Sequence, residues 1–323
     1  MKNIITGLMI FTLAFAGGCK KDNSQKGYVI NVYTRSDSCG AAETWAKYLG
    51  HKQEDLKGTG ISSDPGIAEA VRNDINAIGY NNINYAYDSI TRKPLAGLEI
   101  APIDLNGDHK ITSDEDFYNT RDELQEAIIK GKYPSPPARD LYFVTNGNPQ
   151  KKVVRDFIRW VLTDGQKYVD EAGYVKFSDE KLKKQLDKFG ALEGSVGIGK
   201  ETIIISGAWA LYPLAVKWGE EYEKINRNVT FEISGGGAGK GMTDALSGMV
   251  DIGLVSRELQ QAEIDKGAFG IAVTKDAVVP VVNADNPLIK EIKVIGIKKE
   301  AFEKIWMTGD GLSWKDIIAG DEK

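Results

Sequence analysis

The chain has 323 residues, 42% of them hydrophobic and 27% charged, a balance that excludes a disordered segment or a disulfide miniprotein and predicts about two globular domains. A net charge of -5 supplies no broad positive field for a phosphate backbone, so nucleic acid is not expected as a partner. Two cysteines, Cys19 and Cys39, exclude a disulfide framework, and two histidines, His51 and His109, are too few for a multi-histidine metal centre.

At the start of the chain Lys2 precedes an apolar run from Ile4 to Ala16, too short to span a bilayer and of the length of a secretory signal core. The run ends in Ala16-Gly17-Gly18-Cys19, which is similar to the lipobox of bacterial lipoproteins, with alanine where leucine is usual. This predicts a signal peptide over 1–18, a lipid on Cys19 and a polar tether over 19–26. No later stretch reaches about eighteen continuous apolar residues. The expectation is an exported body held to a bacterial membrane by its lipid anchor alone.

Tyr28 to Tyr33 alternates like a strand and runs into the polar turn Arg35-Ser36-Asp37-Ser38-Cys39-Gly40, after which Ala41 to Leu49 reads as a helix. Asp104-Leu105-Asn106-Gly107-Asp108-His109-Lys110-Ile111-Thr112-Ser113-Asp114-Glu115 has the spacing of an EF-hand or dockerin calcium loop. The predicted ligands are Asp104, Asn106, Asp108, the carbonyl of Lys110 and bidentate Glu115, making Ca2+ the expected structural cofactor. His109 stands where such loops usually carry glycine. Pro134, Pro136 and Pro137 precede an apolar strand from Leu141 to Thr145, and Leu192 to Lys200 is a glycine-spaced connector. Two more strand, small-residue turn, helix units follow. In one, Thr202 to Ile205 leads through Ser206-Gly207 to a helix from Leu211 to Tyr222; in the other, Val229 to Ile233 leads through Ser234-Gly235-Gly236-Gly237-Ala238-Gly239-Lys240-Gly241 to a helix from Met242. Three such units predict an α/β architecture with several helix N-termini available to one ligand.

Three segments, Ser206 to Leu214, Ser234 to Gly241 and Val250 to Leu259, resemble in order the motifs of the PstS family, the phosphate-binding proteins of bacterial phosphate ABC importers. Val278 to Asn283 with Asp285-Asn286-Pro287, Ile305 to Gly309 and Trp314-Lys315-Asp316 continue the resemblance. The family's next element, an arginine before a short turn and a helix, is found here at Arg35 to Thr44, at the opposite end of the chain. The resemblance therefore implies a circular permutation, with Leu192 to Lys200 joining the old termini.

What the resemblance implies is a two-lobe, type II periplasmic-binding-protein fold with two hinge crossings, near Asp140 to Val144 and Ile271 to Val278, and the ligand in the interlobe cleft. One lobe would comprise 27–139 plus 276–323 and carry the calcium loop; the other would comprise 140–275. The phosphate-binding residues it implies are Arg35, Ser38, Cys39, Gly40, Ala41, Ala208, Trp209, Ala210, Leu211, Ala238, Gly239 and Ser256, with inorganic phosphate and ABC permease subunits as partners. Cys39, Ala41, Ala208 and Ala238 stand where the family usually has hydroxyls, and Ser256 is the nearest match to its proton-accepting carboxylate. Backbone N–H groups and Arg35 are then expected to carry the anion, with Asp37 orienting the guanidinium. An oxyanion sensor or a calcium-supported surface interaction module on the same fold is the alternative reading.

Gly239-Lys240 is not a nucleotide P-loop, because Ser234 and Gly241 occupy the places that need glycine and Ser or Thr. Cys39 at a helix start has the position of an activated thiol, but no histidine lies in these motifs and no enzyme activity is expected.

Overall fold

The computed structural model describes residues 28–189 and 199–319; Cys19, its signal peptide and tether, and most of the 192–200 connector lie outside the described residues. In chain order the elements are β1 (Asn31–Arg35), α1 (Gly40–Leu49), β2 (Thr59–Ile61), α2 (Asp64–Arg72), β3 (Ala77–Asn82), α3 (Ile83–Ala86), β4 (Leu98–Ile100), β5 (Ile103–Asp104), α4 (Arg121–Ile129) and β6 (Ala138–Asn146). They continue as α5 (Lys152–Leu162), α6 (Asp179–Phe189), β7 (Glu201–Gly207), α7 (Tyr212–Ile225), β8 (Val229–Gly235), α8 (Ala238–Ser247), β9 (Ile252–Val255) and α9 (Gln261–Ile264). The last are β10 (Ala268–Asn283), α10 (Ile289–Ile295), β11 (Ile297–Lys298), α11 (Lys299–Thr308) and α12 (Trp314–Ala319). Among the described residues no helix is long and apolar enough to cross a membrane.

One sheet, in the order β2-β1-β3-β10-β6-β9-β7-β8, runs through the molecule, with β4 also paired to β10. Its centre is the sixteen-residue strand β10. From Ala268 to Ala277 it pairs antiparallel with β6, and from Val278 to Val282 with β3. The change of partner coincides with a change of core. One apolar cluster gathers residues between Ile30 and Ala138 with those from Ala277 to Ile317, joined by Val175. The second gathers residues between Leu141 and Val273. The chain thus passes between two lobes on β6 and β10, and at these crossings the apolar runs are interrupted by Arg139, Asp140, Lys275 and Asp276.

Local chemistry fixes the helix starts that face the cleft. Cys39 caps α1, its Sγ accepting from the Ala42 N–H at 3.5 Å, and Gly50 closes the helix with φ +89°. The buried face of α1 sets Trp45 against Trp306, 5.2 Å between ring centroids, and against Tyr80 at 6.0 Å. Helix α8 begins at Ala238 rather than at Met242, so the glycine run supplies the first helical turn and not only the loop before it. Close approach is the reason: a Cβ on Gly241 would stand 2.5 Å from the Leu254 carbonyl oxygen and 2.9 Å from the Cα of Gly207. Similarly, α7 starts at Tyr212, because the Leu211 and Tyr212 N–H groups both turn back onto the Ala208 carbonyl.

Candidate functional site

Arg35 ends β1 at the cleft and is almost fully buried. Its Nε and one terminal nitrogen donate to Asp37 at 2.8 and 2.6 Å, so the fork is taken by the carboxylate that the sequence placed to orient it. Its other terminal nitrogen donates to Asp64 Oδ2 at 2.8 Å, and Asp64 Oδ1 accepts from Asn82 Nδ2 at 2.6 Å. Desolvation opposes the charge of Arg35, and the carboxylates of Asp64 and Asp37 more than restore it. These bonds leave one N–H on each terminal nitrogen for a ligand. Arg35 is therefore a charge already offset by two carboxylates, not the free cation that the motif alone suggests.

The small-residue turns of both lobes converge on this arginine's loop. The Gly239 N–H donates to the Ser38 carbonyl at 3.4 Å. A Cβ on Gly237 would stand 3.1 Å from both Asp37 Oδ2 and the Ser38 carbonyl oxygen. One on Gly40 would stand 2.3 Å from the carbonyl oxygen and Oγ of Ser256. The N-termini of α1 and α8 thus meet from opposite lobes, and their first-turn N–H groups fall outside the intrahelical ladder. The turn holding Ala208, Trp209, Ala210 and Leu211 is tied in by Tyr85, whose hydroxyl donates across the cleft to the Trp209 carbonyl at 3.1 Å, and by Tyr174, which donates to the Ala210 carbonyl at 2.7 Å. Cys39, Gly40, Ala41, Ala208, Ala210, Leu211, Ala238 and Ser256 are buried here, whereas Ser38 is exposed.

Several hydroxyls near the motifs are already engaged. Ser206 donates to Asp244 at 2.6 Å, and Thr44 accepts from Arg139 at 2.9 Å. The thiol of Cys39 is also not an activated nucleophile: burial pushes it up to about 12, which outweighs the nearby Arg35 charge and the helix start.

Five further polar residues join the cluster around Arg35, and none was singled out by motif: Asp64, Asn82, Tyr85, Arg139 and Asp276. Arg139 is buried in β6 and donates to the Gly40 carbonyl, to Thr44 Oγ1 and to Asn82 Oδ1. Asp276 lies opposite it in the β10 register, 3.8 Å from a guanidinium nitrogen. The readable signal was charge inside apolar strands, in Ala138-Arg139-Asp140-Leu141 and Lys275-Asp276-Ala277-Val278. Beside them a cavity of about 310 Å³, walled in part by Thr44, Tyr142, Lys181, Arg257 and Lys275, reaches Arg139. Across the lobes Arg257 Nε pairs with Glu43 at 2.8 Å, and Lys47 with Glu258 at 3.1 Å.

The calcium-type loop turns its carboxylates inward. Asp104 accepts from the Gly107 and His109 N–H groups, Asp108 from that of Lys110, and Glu115 from Leu105, Asn106 and Thr112. His109 adopts φ +60°, taking up the left-handed conformation usual for glycine. Among the described residues no three His, Cys, Asp or Glu side chains gather closely enough to share a metal. The residue types and spacing fit calcium, and here their oxygens hold the loop's own N–H groups.

A profile of the PBP superfamily domain matches residues 11–165 and 195–321. The chain belongs to the PBP superfamily. The phosphate-binding protein PstS 2 of Streptococcus agalactiae serotype V is 27% identical to this superfamily member over 327 residues, covering 97% of this chain and 96% of the relative. PstS 2 of Streptococcus pneumoniae serotype 4 is 25% identical over 291 residues, 87% of each chain. A crystal structure of the phosphate-binding protein of a phosphate ABC transporter from Streptococcus pneumoniae TIGR4 superposes with a TM-score of 0.57, covering 90% of this chain and 99% of that one at 22% identity, a likeness of fold.

Proposed function

We propose that the chain captures inorganic phosphate or a related tetrahedral oxyanion in its interlobe cleft and delivers it to an ABC importer. The observation that carries this reading is the meeting of the α1 and α8 N-termini, from opposite lobes, at the loop of a buried arginine. Helix N-termini present backbone N–H groups and a positive dipole end, and a two-lobe fold can close over what they hold. The PstS names of the relatives agree with that chemistry. Calorimetric titration of phosphate-stripped protein with phosphate, sulfate, arsenate and molybdate tests it. Saturable phosphate binding at micromolar concentration is expected; no binding up to millimolar phosphate overturns the reading.

Three narrower proposals accompany it. Cys19 carries a lipid that holds the protein outside the cytoplasm, a reading supported by the Ala16 to Cys19 pattern and tested by labelling with a radioactive fatty acid. The chain is a circular permutation of the usual PstS order, a reading supported by motif order. Calcium in the Asp104 to Glu115 loop rests on residue spacing alone, and binding would require the loop's internal hydrogen bonds to rearrange.

A further inference from the structure

Among the described residues Asp276 is the buried carboxylate with both oxygens unpaired. It is fully buried, and neither carboxylate oxygen makes a hydrogen bond of sound geometry among the described residues, although the Ala277 N–H lies close enough to favour the charged form. It lies where β10 leaves one lobe for the other, and the Arg139 guanidinium 3.8 Å away is itself held by Gly40, Thr44 and Asn82. A carboxylate in that state is costly unless it is neutralised or paired.

The charges around it form one connected cluster. Asp276 faces Arg139 of β6, whose partner Asn82 holds Asp64 of α2, which in turn holds Arg35. Tyr85 of α3 and the buried Tyr133 and Tyr174 also feel its charge. Two arginines, Arg35 and Arg139, stand against three carboxylates, Asp37, Asp64 and Asp276, so with every group ionised the site is negative by one before any anion enters. Burial pushes the Asp276 carboxyl up to about 7, with Arg139 pulling the other way. Asp276 is thus the one carboxylate of the cluster placed to give up its charge.

We propose that Arg139 and Asp276 belong to the anion-binding machinery: Arg139 positions the first turn of α1 through the Gly40 carbonyl, and Asp276 takes up one proton when the anion enters. The proton comes from solvent, converting carboxylate to carboxylic acid with no other bond changed. The cavity that ends on Arg139 brings water within one side chain of Asp276. This inference rests on the oxyanion reading above and adds its regulation. Capture is proton-coupled and weakens as the medium becomes alkaline, because the anion must then bind beside an ionised Asp276 or first protonate it.

The experiment is calorimetric titration with phosphate from pH 6 to 9 for the wild type, Asp276→Asn and Arg139→Lys. The titration of phosphate itself is common to all three proteins and cancels in ratios of Kd. The wild-type Kd relative to that of Asp276→Asn should rise about fivefold or more between pH 7 and 9, the change that a one-unit shift from about 7 produces; a ratio constant within twofold overturns the proton coupling. Arg139→Lys keeps the charge but has one nitrogen where the guanidinium uses two, one on Gly40 and Thr44 and the other on Asn82, so it should weaken binding about tenfold at every pH in protein that still melts cooperatively. Unchanged affinity overturns the positioning role. Should Asp276→Asn fail to fold, carbon-13 spectra of aspartate-labelled wild type decide. One carboxyl should titrate near neutral pH and move up by a unit or more in saturating phosphate, and its absence refutes the proposal. Wild type that binds no phosphate overturns the oxyanion reading and this inference together, whereas binding without linkage overturns this inference alone.

Discussion

Replacing Arg35 by alanine separates what the residue does for the fold from what it does for the ligand. The side chain is 1% exposed and faces Asp64, itself 2% exposed, and Asp37 at 24%. Removing it strands the Asp64 carboxylate with Asn82 as its remaining side-chain partner, the circumstance in which breaking a buried pair costs about 3–5 kcal/mol. The Asp37 half is partly solvated and adds about 0–1 kcal/mol. At roughly 2–4 °C per kcal/mol for a protein of this size, Arg35→Ala should melt roughly 6–24 °C lower in phosphate-free buffer. Phosphate affinity should fall by about 2–5 kcal/mol, the loss expected when one partner of a buried charge contact is truncated. The double variant Arg35→Met with Asp64→Asn removes both charges while keeping a polar partner for Asn82. It should recover at least half of the melting loss and none of the binding. Scanning calorimetry and phosphate titration on the three proteins are the assays. A single variant that melts within 2 °C of the wild type would refute the burial argument, and one that binds phosphate unchanged would refute the site assignment.

The remaining expectations can be checked on purified protein. Gly40→Ala places a methyl 2.3 Å from Ser256, so it should hinder closure and weaken phosphate binding at least tenfold while shifting the melting temperature by less than about 3 °C; unchanged binding removes the close-approach argument. Asp276 has a folded-state pKa raised to about 7, so the folded protein binds more protons than the unfolded chain between about pH 4 and 7, and this group's contribution to stability falls as pH rises through that window. The full effect is roughly 4 kcal/mol, of which roughly 2.5 kcal/mol falls between pH 5 and 7.5, read as a difference in urea midpoints that Asp276→Asn should remove. Millimolar calcium should raise the melting temperature relative to chelator, and Glu115→Gln should abolish the rise without touching phosphate binding; identical melts would end the calcium proposal. Arg257→Gln breaks the interlobe pair with Glu43 and should speed phosphate release more than it slows capture, as stopped-flow fluorescence of Trp209 would show.

Much of the architecture was readable because it depends on local chemistry. Strand, small-residue turn and helix recur at Arg35, Ser206 and Ser234, and each becomes a cleft-facing helix start. Asp37 was expected to orient Arg35, and it does so through two hydrogen bonds. The errors have equally local causes. Helix α8 was placed from Met242 because glycine lowers helix propensity, whereas here Gly239 and Gly241 are helical, Gly241 because only glycine lets α8 lie against β7 and β9, and Gly239 where α8 meets Ser38. At Cys39 the sequence argued against a nucleophile from the lack of a histidine, and burial, which no motif encodes, raises the thiol as well. Asp64, Asn82 and Asp276 escaped notice for a different reason. Each lies far from Arg35 in sequence and reaches it only through the order of strands in the sheet, which three-dimensional pairing decides.

That pairing also explains how the site tolerates so few hydroxyls. With Cys39, Ala41, Ala208 and Ala238 in the turns, side chains contribute little beyond shape, and the anion is left to N–H groups whose direction is set by the helices that carry them. Direction then has to be enforced from behind. Arg139 does so for α1, because the Gly40 carbonyl it holds belongs to the same turn as the donors, and the strand that carries Arg139 is one of the two that cross between lobes. Lobe closure, the aim of the N–H groups and the charge of Asp276 are therefore mechanically linked through β6 and β10, and a change at the crossing reaches the ligand without passing through any residue of the glycine turns.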